Sequence, residues 1–187
     1  MMKRRFILAI TLTGTLTTVG NVATRAVAAS PGIATYREAQ WEELVPKEWD
    51  PTKRFRNSKL GMFSDSDPRV LQMMREMRET WDNAPTNSAM DGAAIKLPGY
   101  VVPLDETSAG MKEFLLVPYF GACIHTPPPP ANQIIHVITT KPAKGLHMMD
   151  AVWVSGILKT FRGDSVMGVS GYRMQAAQID PYEPPKK

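Results

Sequence analysis

The sequence predicts a mainly β protein with an N-terminal helix, its body a small five-stranded Greek-key barrel of the OB type. Three observations carry that expectation. Five runs rich in Val, Ile, Tyr or Phe follow one another from Ala93 onward, separated by Gly, Pro, Asp or Ser turns. One capped helix signal precedes them, at Asp67-Pro68. Pro98-Gly99 and Gly156 interrupt two of the runs, as the bends of a tightly coiled small barrel require. Short strands with such bends suit a Greek-key barrel, and an open β-sandwich is the structural alternative.

Taken in chain order, residues 1–28 come first. They carry Lys3, Arg4, Arg5 and Arg25 and no acidic residue. A basic start, an apolar run from Phe6 to about Val22 and the small-residue end Ala26-Val27-Ala28 form the anatomy of an export signal with an A-x-A cleavage site. The apolar run is short and rich in Thr and Gly, which disfavours a stable membrane span. Lys3-Arg4-Arg5-Phe6-Ile7-Leu8 fits a twin-arginine pattern as well as an ordinary Sec signal. The expected location is the periplasm, by either route, with no stable membrane insertion after cleavage.

Residues 29–92 read as an N-terminal arm, helix and linker. Tyr36 to Asp50 gives a short helix-like start that Pro46 and Pro51 turn. In it Trp41, Leu44, Val45 and Trp49 can dock on a body. Residues 51–66 lack periodicity and read as loop. The helix runs from an Asp67 N-cap and Pro68 to about Trp81, with Val70, Leu71, Met74, Met77 and Trp81 on one face. Asn83 to Asp91 is the linker. Residues 93–187 form the barrel domain, with strands expected at Ile95–Leu104, Glu113–Tyr119, Ile134–Thr139, Ala151–Thr160 and Tyr172–Ile179.

Charge decides one class of partner. The whole chain has 22 basic and 18 acidic residues, for a formal net charge of +4. All four excess charges lie in residues 1–28, so the remaining chain is balanced. Nucleic acid is therefore not the expected partner.

The segments Gly99 to Leu104, Phe114 to His125 and Pro127 to Gln133 resemble a known exported bacterial family, domain of unknown function 3299. Ala151 to Gly156 and the arm residues Trp41, Leu44 and Pro46 resemble it too. The likeness spans nearly the whole chain after the signal, and the Cys-x-His plus four-proline run is its most specific part. It implies an OB-like β-barrel in a periplasmic or lipoprotein setting, with no established activity. It also implies that some members are encoded beside ABC-type export systems and metal-regulated genes. The chain lacks the lipidation cysteine of the lipoprotein members.

The chemistry concentrates in one loop. Cys123 is the only cysteine, so no intramolecular disulfide forms. His125 follows two residues later and His136 lies beyond the prolines. If a strand continues through this stretch, Cys123 and His125 share a face, a compact pair for zinc or copper with His136 as a third ligand. Pro127, Pro128, Pro129 and Pro130 favour a stiff polyproline II rod of about 12 Å. With Asn132 and Tyr119, that rod offers a surface for an envelope or ABC-type transport protein. Two other readings stand beside these. Cys123 is a small buried hydrophobe, or it is the nucleophile of a thiol-dependent enzyme, assisted by a histidine and by Asn132 or Asp150.

Further candidates are weaker. Met73, Met74 and Met77, with His147-Met148-Met149, make a thioether copper surface or, more simply, core packing. Tyr100, Tyr119, Phe120, Trp153 and Tyr172 are read as core and loop packing. Phosphate-binding glycine loops, a GxSxG motif and internal repeats are absent. The reading that follows is a non-enzymatic periplasmic binding or accessory protein.

Overall fold

A computed structural model describes residues 35–53, 64, 66–105, 107–123 and 128–183. Their architecture is mainly β, six strands and one α-helix. The strands are β1 (Arg37–Glu38), β2 (Ala94–Pro103), β3 (Met111–Val117), β4 (Ile135–Ala143), β5 (Ala151–Ser165) and β6 (Gly168–Pro181). The helix, α1, spans Pro68–Asp82. The expected signal segment, residues 1–28, lies outside the described residues.

The sheet order is β1-β2-β3-β4-β6-β5, with an additional pairing of β2 to β5. The β1–β2 and β4–β6 pairs are parallel and the others antiparallel. Of the two expected bends, Gly156 marks a register shift, whereas β2 pairs with β5 through Pro98 and Gly99 without one. The β5–β6 register shifts at Ser155/Gly156, and a Cβ on Gly156 would sit 2.3 Å from the Gln175 carbonyl oxygen. Only glycine permits that approach of the two backbones. Pro98 lies in β2 between the end of the β1 pairing at Lys96 and the start of the β3 pairing at Tyr100. On that unpaired side its carbonyl accepts the Trp41 indole N–H at 2.7 Å.

The strand alternation sorts two faces. Ile95, Leu97, Phe114, Leu116, Ile135, Val137, Val154, Leu158, Tyr172 and Met174 fill the main core, all fully buried. On the opposite face Val102, Leu115, Val117, Ala122 and Ile134 form a second cluster, with Tyr100, Leu104, Cys123, Met149 and Met167 packed against it.

The arm differs from its expected helical start. Arg37–Glu38 pairs with Ile95 and Lys96 as a strand, and only a 3-10 turn at Trp41–Leu44 follows. The segment is too short before Pro46 to propagate an α-helix. Of the four expected anchors, Trp41 and Leu44 are buried in the main core, Trp49 packs half-buried against Ala84, Ala131 and Val169, and Val45 is half-buried. The Tyr172 hydroxyl donates to the Leu44 carbonyl at 2.6 Å and accepts the Asn87 N–H at 2.6 Å.

In α1 the Asp67 carboxylate accepts the Arg69 N–H and Pro68 stands at the first position, as the capping signal predicts. Its apolar stripe is another matter. Only Val70 is buried, while Leu71 and Met74 are 42% and 53% exposed. Core packing therefore does not account for Met74, while Met73 and Met77 are half-buried. Among the described residues no helix is long and apolar enough to cross a membrane.

Strand ends also shift. Past Thr160, β5 continues to Ser165 and turns through Val166 and Met167 into β6 at Gly168. The polar run Arg162 to Ser165 conceals this hairpin, because its residues alternate between two partly exposed faces.

Candidate functional site

The loop that joins β3 to β4 begins on an exposed aromatic pair. Tyr119 and Phe120 are 43% and 65% exposed. The Phe120 ring meets the Tyr100 ring edge-on, centroids 5.8 Å apart. Met148, also exposed, precedes Met149, whose Sδ lies 3.2 Å from the Gly121 N–H. Thus the aromatic pair stands over a loop fixed from beneath.

Two residues on, Cys123 adopts φ 65°, a left-handed conformation uncommon for a side chain with a Cβ. The chain turns there, so the strand does not continue through Cys123. The thiol is half-buried against the second apolar cluster. Burial pushes its pKa up to about 11, with the charge of Arg78 opposing the shift. A thiol in that state is protonated at neutral pH and a poor nucleophile.

Residues 124–127, hence His125 and Pro127, lie outside the described residues. Pro128 packs close to the Gly168 turn, and Pro129 is buried. Asn132 is fully buried in the 3-10 turn Ala131–Gln133, its amide donating to the Pro85 carbonyl at 2.9 Å. These residues brace the loop against the body, and among the sequence candidates it is Tyr119 that faces outward.

His136 lies opposite Leu115 of β3, on the face that carries the second cluster. It therefore shares a sheet face with Cys123. Its ring is committed elsewhere: Nε2 is 2.8 Å from a Glu113 carboxylate oxygen, and the Phe161 ring lies 6.1 Å away between centroids. Among the described residues no three His, Cys, Asp or Glu side chains converge as a metal ion requires. The orienting candidate Asp150 accepts the His147 N–H instead.

Sequence reasoning passed over Glu113, Phe161 and Arg173, which gather around His136. They come from β3, β5 and β6, and only the cross-strand register reveals that they meet. The available signal was a charged residue between Tyr172 and Met174, both inward in a period-2 pattern. A surface cleft of about 390 Å³ reaches this group at Phe161 and is lined further by Asn83, Thr86, Arg162 and Ser170.

Residues 41–181 match the family described as protein of unknown function (DUF3299). The chain belongs to the DUF3299 family. Another DUF3299 protein, from Pseudomonas aeruginosa PAO1, has a crystal structure that is 37% identical, with a TM-score of 0.62. That likeness covers 81% of this chain and 99% of the other. No curated protein matches the chain. With no activity established for DUF3299, the function must be argued from the site.

Proposed function

We propose that this DUF3299 chain is an exported, non-enzymatic binding or accessory protein that docks an envelope or membrane transport partner through its β3–β4 loop. The body would be a five-stranded OB-like barrel. In support, β2, β3, β4, β6 and β5 pair in a cyclic order that β2–β5 completes, with β4–β6 the parallel pair. The observation that carries the docking reading is the exposed Tyr119-Phe120 pair on a braced loop, because aromatic side chains held in place dominate interface energetics. The raised pKa of Cys123 weighs against a thiol enzyme.

A photoreactive residue at position 120 tests this in cells. Capture of one envelope transport protein, lost when Tyr119 is changed to Ser, supports docking. Equal labelling of many unrelated proteins overturns it. Recovery from the periplasmic fraction without residues 1–28 is the expected processing; retention of those residues in the membrane fraction overturns the export reading.

A second reading, zinc or copper held by Cys123, His125 and His136, is favoured by the sheet face that Cys123 shares with His136. In that arrangement Glu113 would orient the imidazole from the far nitrogen, as outer-shell carboxylates do. Titration with Zn²⁺ and Cu⁺ decides it: affinity unchanged in C123A and H125A removes the metal.

A further inference from the structure

Arg173 lies on β6 and has no carboxylate partner among the described residues. Its guanidinium stacks on Phe161, Cζ 3.5 Å from the ring centroid. Stacking engages the flat face of the guanidinium and leaves its in-plane N–H donors unused. Nε is sealed from solvent and hydrogen-bonds to nothing. A buried donor in that state carries an unrecovered desolvation cost that an acceptor removes.

Other arginines show the ordinary solution. Arg37, Arg69, Arg78 and Arg162 contact Glu43, Asp67, Asp82 and Asp164 within 2.8 to 3.3 Å. The carboxylates that contact His136 and Lys159, the polar cross-strand neighbours of Arg173, are engaged with them among the described residues. Glu113 is held by His136, and Asp91 faces Lys159 at 3.6 Å and accepts the Thr160 N–H. The register places Leu115, His136, Arg173 and Lys159 in one row across β3, β4, β6 and β5. His136 thus stands between the strand of Glu113 and Arg173, and Lys159 flanks the other side.

We propose that Arg173 forms an oxyanion site for a small molecule bearing a carboxylate or a phosphate. Phe161 holds the guanidinium plane, so the group is oriented before a ligand arrives. The oxyanion accepts the terminal guanidinium N–H groups, which lie in one plane and match the two oxygens of a carboxylate or phosphate. The site is separate from the aromatic docking loop and requires no metal.

The test is an NMR titration of the ¹⁵N-labelled full chain with inorganic phosphate and, separately, with acetate. Ionic strength is held with chloride, and the Arg173 Nε–H and His136 ring resonances are read. A saturating shift in either series is expected, and the tighter series names the ligand class. R173K should weaken binding about tenfold or more, because charge without the planar donor pair is a poorer match. R173Q should abolish saturation while resonances of the main core stay in place. A linear shift no larger than that with chloride, or equal affinity in R173Q, overturns the site. Should R173Q fail to fold, the wild-type Arg173 resonance still decides, since it reports on the guanidinium directly.

Discussion

At the scale of single residues, burial and conformation set the chemistry of Cys123 more than its sequence neighbours do. Alkylation of the native chain should be slow at pH 8 and should rise toward pH 11 rather than pH 9, because the folded thiol ionises near 11. Rapid labelling at pH 8 without denaturant would contradict this. The same shift makes stability depend on pH. The folded pKa is raised above the ordinary 9.0, so the unfolded chain loses its proton first. The contribution of the buried thiol is therefore intact below pH 9 and lost as pH rises through 11, and C123A should flatten this alkaline fall in a urea titration series. Tyr172 illustrates the complementary case, a buried hydroxyl with both roles filled. Y172F strands the Leu44 carbonyl and the Asn87 N–H together and should cost about 1–3 kcal/mol by urea denaturation. A change within about 0.5 kcal/mol, the range of ordinary surface substitutions, would show that water replaces the hydroxyl.

Elements reveal how local signals were overridden. The Asp67-Pro68 cap was legible because capping is a matter of three residues, and the helix it starts follows its pattern of side chains. Whether its apolar stripe is covered is set by long-range packing, and Leu71 and Met74 remain open. The register shift at Gly156 was equally legible, resting on a backbone property of one residue. Glu113, Phe161 and Arg173 were not, because cross-strand neighbours depend on register, and register is a property of pairs of strands. Gly156 offers the sharpest test at this scale. A methyl group there meets the Gln175 carbonyl oxygen at 2.3 Å, with Met174 also in the way. G156A should therefore destabilise by about 1–3 kcal/mol, the usual cost of overpacking. An unchanged urea midpoint would mean that the β5–β6 pair relaxes freely at its register shift.

For the whole molecule the decisive feature is that the arm contributes to the core. Ala39, Trp41 and Leu44 belong to the same buried cluster as Phe114, Leu158 and Met174. The sequence identified these anchors through their aromatic and aliphatic character, though not the strand and 3-10 turn that present them. Because burial of apolar surface is shared across this cluster, arm and sheet lose their stabilisation together. Unfolding of the chain should accordingly appear as one transition, with tryptophan fluorescence and far-UV circular dichroism tracing the same curve in urea. W41A removes the indole from the core and breaks its bond to the Pro98 carbonyl, on the side of β2 away from β5. It should lower the stability of the whole by about 3 kcal/mol or more, within the range for aromatic truncation in a core. The cooperative behaviour should survive in the variant. Two separated transitions, with the sheet signal unmoved by W41A, would instead make the arm an independent appendage and would detach the Asn87–Tyr172–Leu44 connection from the stability of the sheet.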